Sequence, residues 1–518
     1  MLYNWNMGEF LSKRKRLICI LAPTVFGIFY MFLSMFNLQQ SIWQGESYGA
    51  YLTHFDAGQI WNFTAEANQP PLYFWALKAW AHIFGRTDFD MRFMSVFFGA
   101  IAIMFIYMWV KYKYGAKAAI LSSLLLSISP LMIRFGREMQ PYMMALMFVS
   151  AATYFLQLAI DNEQKRWWII YAIVVALGLW TSYFTVFAWL AHIVYLALIY
   201  KKKIFRKEVI WTAIIACLLF VPWLPKLFGQ LSARGTGISA ISLDALVNYW
   251  SETLLYREAS STSGWPLVLI ILASIVLIGL VAKYYKQVRM LLCMIFVPTI
   301  VLILLSLTPA GLAMTPQRTL YSAASVATIG GVTIIIATND LLSRKERRKK
   351  VKATSQRQSK IVFAVCSVIL VLASICGICS AYELGSYNFD TKQSYGANIL
   401  HKNIVTADNI NDTPIIVSSP WLYYDLSFYD TADRQTFFLA EGQEYDSNLL
   451  LPIKNSYFGR IDNLDKFLEK HESVWYVDVA PAQGDLEFPR DGYMATQILT
   501  LNYSNSGVEY EAIRFIPE

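Results

Sequence analysis

Apolar runs close to the roughly twenty residues that a helix needs to cross a bilayer recur through most of this chain. They fall near residues 17–36, 93–110, 118–133, 141–160, 168–182, 184–200, 209–225, 265–282, 290–307, 319–338 and 361–379. The pattern predicts an α-helical polytopic membrane protein with about eleven transmembrane helices. Two breaks interrupt it. The first is the polar, aromatic-rich stretch Asn37–Arg92, directly after the first apolar run. The second begins near residue 380. There the runs shorten to Pro414–Ser419, Gln435–Leu439, Val474–Val479 and Glu511–Ile516, rich in β-branched residues, with helical patterns at Trp421–Tyr429 and Asn463–His471. Strand-like and helix-like segments in alternation predict a small α/β domain. The chain therefore divides into a transmembrane domain, 1–379, whose first outer loop 37–92 holds the candidate site, and a C-terminal domain, 380–518.

Composition agrees: 56% of residues are hydrophobic, 15% charged, and mean hydropathy is +0.40, which excludes an ordinary soluble protein. Charge adds sidedness. Lys and Arg cluster at Lys13–Arg16, Lys111–Lys117, Lys165/Arg166, Lys201–Lys207, Lys283–Arg289 and Arg344–Lys360. All of these fall on the cytoplasmic side if 168–200 is two short helices meeting near Thr181-Ser182-Tyr183. The N-terminus is then cytoplasmic and the C-terminal domain extracytoplasmic. Lys13–Arg16 precedes an apolar run too long for a cleaved signal, so that run reads as a first span. Residues 380–518 carry 9 Lys and Arg against 21 Asp and Glu, leaving net +20 on the rest of the chain. The basic residues lie in short loops between spans, which argues against nucleic acid. Six cysteines lie within apolar runs, so no disulfide is expected, and Cys376-x-x-Cys379 reads as small-residue packing.

Six arginines break the positive-inside pattern: Arg92, Arg134, Arg137, Arg234, Arg257 and Arg318. Basic groups at outer helix ends suit an anion, although snorkelling to lipid headgroups is the plain alternative for any one of them. Beside them stands an acid just outside the first span, in Trp43-x-x-Glu46-x-Tyr48. Pro70-Pro71-Leu72-Tyr73, Arg92-x-x-Ser95, Arg137-x-x-Gln-Pro141-Tyr142, Ser182-Tyr183-Phe184, Val221-Pro-Trp-Leu-Pro-Lys226 with Gln230, and Arg318-x-x-Tyr321 follow in order. This constellation resembles the GT-C glycosyltransferases, closest to the bacterial family 39 group related to protein O-mannosyltransferases and aminoarabinose transferases. The resemblance covers about residues 15–335, and more weakly the tail.

The resemblance implies a GT-C-like fold and inverting transfer of a sugar from a polyprenyl-phosphate donor. The acceptor would be an extracytoplasmic polymer, lipid or protein of the cell envelope. Its site needs a carboxylate to take the acceptor proton and cations to stabilise the departing phosphate. The implied base is Glu46, with Asp56 or His54 as replacements, because the family's Asp position is Gly45 here. The implied phosphate ligands are Arg137 and Arg318, then Lys78, Arg134 and Lys226. Trp43, Tyr48, Tyr73, Tyr142, Tyr183 and Tyr321 are candidates for sugar or lipid contact, or for interface anchoring. A divalent cation is a candidate cofactor without a ligand set, since His54-x-Asp56 supplies too few ligands. A lipid-linked-sugar flippase would place polar groups at mid-membrane. A non-catalytic scaffold or sensor is left open by Gly45.

Overall fold

The computed structural model describes residues 7–36, 38–42, 44–200, 206–233, 242–257, 262–307, 315–346, 352–383, 396–408, 413–430, 435–441, 459–479, 486–503 and 508–518. In chain order the helices begin with α1 (Met7–Ser34), α2 (Gln44–Leu52), α3 (Ala57–Glu66), α4 (Leu72–Phe84), α5 (Asp88–Tyr114), α6 (Ala116–Ser127) and α7 (Pro130–Gly136). There follow α8 (Tyr142–Asn162), α9 (Lys165–Thr181), α10 (Thr185–Tyr200), α11 (Lys207–Phe220), α12 (Leu224–Ala233), α13 (Leu243–Leu255) and α14 (Trp265–Tyr284). The last are α15 (Arg289–Ser306), α16 (Leu320–Glu346), α17 (Lys352–Glu383), α18 (Ala397–Ala407), α19 (Pro420–Ser427) and α20 (Leu464–Leu468). They pack as two units, one of Met1–Phe36, Ser95–Arg137 and Pro141–Ala381, the other of Asn37–Met94, Glu138–Gln140 and Tyr382–Glu518.

The first unit is helical. Among the described residues, seven helices are long and apolar enough to cross a membrane: α5, α8, Lys207–Gln230, α14, α15, Pro316–Leu342 and Lys360–Tyr382. The pair α6 and α7, bent by 55°, makes an eighth. Leu21–Ser34 and Thr185–Ile199 are shorter apolar helices. The predicted pair in 168–200 is present as α9 and α10, parted at Ser182–Phe184. The single run expected at 118–133 is instead bent. Pro130 has no amide hydrogen and opens α7 at its first position, so the chain restarts there rather than continuing α6. Helix α16 is almost wholly buried and α14 largely exposed. Small residues let α16 pack closely: a Cβ added at Gly331 would lie 2.5 Å from the backbone nitrogen of Ser122, and Ser122 Oγ donates to Thr328 O at 3.1 Å.

The second unit joins the first polar stretch to the tail. Helices α2, α3 and α4 replace the expected loop. The tail holds β1 (Ile415–Val417), β2 (Thr436–Leu439), β3 (Arg460–Ile461), β4 (Val474–Val479), β5 (Tyr493–Tyr503) and β6 (Val508–Pro517) in one sheet, order β3-β2-β1-β4-β6-β5. The first four strands of that order run parallel and β4-β6-β5 run antiparallel. Ile416 stands opposite Phe437 and Tyr476, which fixes the register of the central strand. Ile-Ile-Val of β1 is buried on both faces, as a central parallel strand requires. Leu464 and Leu468 of α20 close one core with Ile416, Ile461, Ile513 and Phe515. The strands β3 and β5 and the helix α18 were not anticipated. β3 is two residues long, and β5 is an edge strand whose alternation is diluted by polar side chains.

Candidate active site

Within the second unit, α2 is placed by its aromatic face. Tyr48 meets Tyr424 of α19 edge-on with ring centres 5.5 Å apart, and Tyr51 meets Tyr423 at 5.6 Å. Ile42 N donates to Tyr429 Oη at 2.8 Å, and Tyr429 Oη donates to Asp88 Oδ1 at 2.8 Å. With α2 fixed, Glu46 in its first turn is wholly buried. Arg92 grips it with a fork: Nε to Oε1 at 3.1 Å and Nη2 to Oε2 at 2.5 Å. The amide of Met139 donates to Oε1 at 2.7 Å. Arg92 spends its other donors on the carbonyls of Leu38 at 2.8 Å, Ser41 at 2.9 Å and Gln40. All five guanidinium donors are thereby used. Arg92, read as an anion-seeking arginine from its outer position, serves an internal carboxylate instead.

A second carboxyl lies close by. Asp425 of α19 accepts from Ser47, while among the described residues its Oδ1 is buried and accepts no hydrogen bond. Burial pushes this carboxyl up to about 7, the charge of Glu46 adds to the rise, and the Ser47 bond opposes it. The folded pKa is therefore raised above the unfolded value. Stability is highest where both states are protonated and falls as pH climbs through the ordinary carboxylate range toward 7, levelling above it. Asp425→Asn should leave the melting temperature unchanged near pH 4 and raise stability near pH 8 by on the order of 3 kcal/mol. Thermal unfolding in detergent at the two pH values checks this; equal melting at pH 8 would refute it.

The remaining candidates of this unit are fixed by local geometry. Asp56 is exposed and caps α3, accepting from Gln59 N at 2.8 Å in a reciprocal box. His54 contacts Arg86 at 3.0 Å. Burial, then Arg86, then Lys78 push its pKa down to about 4. Lys78 Nζ donates to the carbonyls of Phe55 at 2.5 Å and Thr53 at 3.3 Å. Burial raises the Tyr48 phenol, and its hydroxyl donates to Phe63 O at 3.1 Å. Tyr73 is buried in α4, just after Pro71, the residue that precedes the helix. Trp43 lies outside the described residues.

The first unit holds Arg134, Arg137 and Arg318 in two groups. Arg257 Nε donates to Ser380 Oγ at 2.6 Å, and Arg234 lies outside the described residues. Arg134 and Arg137 sit at the end of the bent helix α7, both buried. Arg134 Nε donates to Tyr256 Oη at 2.7 Å. Tyr142 packs its ring on Phe135 at 5.5 Å. The second group surrounds the break between α9 and α10. Arg318, in the short turn Pro316–Thr319, lies 5.2 Å from the Phe184 ring centre. Tyr321 Oη donates to Phe184 O at 3.0 Å. Tyr183 Oη receives Trp223 Nε1 at 2.5 Å and donates to Gln230 Oε1 at 2.7 Å. Lys226 is half-buried on α12. Helix α13 packs on both α7 and the Pro316–Thr319 turn, and Tyr249 Oη lies 2.9 Å from Thr319 Oγ1. The second group joins residues of three quoted motifs, those at Ser182, Val221 and Arg318, whereas the first adds Tyr256, which lies in none of them. No set of three or more His, Cys, Asp or Glu side chains is arranged to hold a metal ion among the described residues.

A model of the dolichyl-phosphate-mannose-protein mannosyltransferase family matches residues 68–225. The fold is similar to that of ArnT from Cupriavidus metallidurans bound to undecaprenyl phosphate, with TM-score 0.58 and 12% identity over 95% of this chain and 97% of that one. The fold is GT-C-like. The apo state of the same ArnT gives TM-score 0.53 at 11% identity, covering 97% of this chain and 98% of that one. Archaeal oligosaccharyltransferase AglB from Archaeoglobus fulgidus, in complex with an inhibitory peptide and a dolichol-phosphate, gives TM-score 0.44 at 11% identity over 80% and 64% of the two chains. A search of curated protein sequences returned no match. The residues that the sequence did not single out for the candidate site are the Met139 amide, Asp425 and Tyr429. A backbone amide carries no sequence signal, and the other two lie in the tail, more than 370 residues along the chain from Glu46.

Proposed function

We propose that this GT-C chain transfers a sugar from a polyprenyl-phosphate donor to an acceptor at the outer face of the membrane, with inversion at the anomeric carbon. The observation that carries the proposal is the agreement in fold, along nearly the whole length of both chains, with an ArnT bound to undecaprenyl phosphate. In this reading Glu46 is the site carboxylate. Arg92 and the Met139 amide orient it, and it takes the proton of the acceptor hydroxyl as that oxygen attacks the anomeric carbon. The glycosyl–phosphate bond breaks as the new bond forms, and the carrier leaves as polyprenyl phosphate. Arg137 and Arg318 meet the growing phosphate charge, with Arg134, Lys78 and Lys226 as further cations. Tyr73, Tyr142, Tyr183 and Tyr321 bound the lipid and sugar path. Asp56, committed to its helix cap, is assigned no proton transfer. The transmembrane domain 1–379 carries the donor and the extracytoplasmic domain 380–518 meets the acceptor. The N-terminus is cytoplasmic, in keeping with the basic loops.

Sealed right-side-out vesicles test the reading. They should transfer radiolabelled sugar from polyprenyl-phosphate donors to an outer-face acceptor. An impermeant thiol reagent should label Lys470→Cys and spare Lys286→Cys in a cysteine-free background. Both positions are exposed. Absence of transfer with every lipid-linked donor would refute the transferase, and labelling of Lys286→Cys alone would reverse the orientation. A flippase would move the lipid without consuming it.

A further inference from the structure

The second unit contains a cavity of about 620 Å³ between the end of α2 and the tail. The proposed transfer leaves it without a role. Such a volume takes a sugar of one or two rings. Its walls are of mixed character. Tyr51, Phe55, Tyr423 and Phe428 supply aromatic surface, with Tyr51 and Phe55 5.4 Å apart and edge-on. Such surface fits the apolar C–H face of a pyranose, whereas a purely apolar ligand would leave the polar groups of the cavity unpaired.

The polar groups sit at two ends. On the α2 side stands Arg86, with Nη2 3.4 Å from Thr53 O and Nη1 against His54. Lys78 lies behind, fixed to the carbonyls of Thr53 and Phe55. Burial, and after it the charges of Arg86 and Lys78, lower the pKa of His54 and leave its ring neutral. Among the described residues no carboxylate lies within ion-pair distance of Arg86. On the tail side stands Asp430, whose oxygens accept from Thr436 N and Thr436 Oγ1, both at 2.7 Å. Asp430 also faces His401 Nε2 at 3.9 Å, so its charge is directed largely into the protein.

We infer that this cavity binds the acceptor: a saccharide whose ring lies on Tyr51 and Phe428 and whose phosphate or carboxylate group is held by Arg86. The inference rests on the transferase reading for the word acceptor, but the binding itself needs no catalysis. Glucose 6-phosphate, glucuronic acid, glucose and inorganic phosphate serve as probes of the purified full-length chain in detergent, read by saturation-transfer NMR. The two acidic sugars should take up saturation at their ring protons, with glucose weaker by about tenfold, the loss of one charge-assisted contact. Titrating inorganic phosphate should lower the acidic-sugar signal. Arg86→Gln, at an exposed position, should bring the acidic sugars down to the level of glucose. Ser427→Trp, which fills the cavity, should remove all the sugar signals. Equal binding of glucose and its phosphate, or signals unchanged in both variants, would overturn the inference. Acidic-sugar binding that follows these variants in a chain without transfer activity would uphold the site and refute only the transferase reading. In an active chain, Arg86→Gln should raise the acceptor KM about tenfold and leave turnover at saturating acceptor and the donor KM unchanged. A fall in turnover instead would overturn the assignment.

Discussion

Glu46→Gln should destabilise the second unit by roughly 3–5 kcal/mol as well as abolish transfer, because it leaves the Arg92 guanidinium buried without its counter-charge. The two effects arise from different features. The stability loss comes from the fork between Arg92 and Glu46, in which both side chains are essentially excluded from solvent. Arg92→Met should cost a similar amount, since Glu46 would then be buried unpaired and the carbonyls of Leu38, Gln40 and Ser41 would lose their donor. The double variant should be clearly more stable than the sum of the two single losses predicts, because the charges disappear together. Activity should not follow. If Glu46 is the proton acceptor, the double variant should remain down by on the order of 10²-fold or more. Thermal unfolding in detergent and the transfer assay, applied to the complete cycle, separate the roles. A double variant that regains both stability and turnover would show that Glu46 only anchors Arg92, and the base would have to be sought elsewhere.

Arg318→Ala should lower turnover by on the order of 10²–10³-fold while changing stability by no more than about 1 kcal/mol. The stability figure follows from its visible packing, a guanidinium 5.2 Å from the Phe184 ring centre and half-exposed. The kinetic figure follows from the proposed role. Negative charge on the carrier phosphate grows as the glycosyl bond breaks, so an arginine there stabilises the transition state more than the bound donor. Turnover should thus fall more than apparent donor affinity. Lysine should restore part of the rate, being a cation without the planar fork. Kinetics of Arg318→Ala and Arg318→Lys at saturating donor measure this. Unchanged turnover and donor affinity in the alanine variant would reduce Arg318 to a helix anchor and direct the search to Arg137, Arg134, Lys78 and Lys226.

The amino-acid sequence by itself determined the periodic features. Twenty-residue apolar runs must be helices in a bilayer, because no water is present to satisfy a free backbone amide or carbonyl. The break at Thr181–Tyr183 was legible because the basic loops demanded it. The buried strands Ile415–Val417 and Val474–Val479 were legible as short β-branched runs. The order of motifs from Glu46 to Arg318 was enough to bring the GT-C resemblance into view. Tertiary structure decided what depends on meetings between distant residues. It bent the run at 118–133 about Pro130 and gave Arg92 to Glu46. It turned the supposed loop 37–92 into three helices packed with the tail, and set Asp425 beside Ser47 and Glu46. None of this is periodic. A buried carboxylate and its counter-ion can be separated by any length of chain, as Glu46 and Arg92 are, so their pairing is settled by desolvation and packing rather than by local pattern.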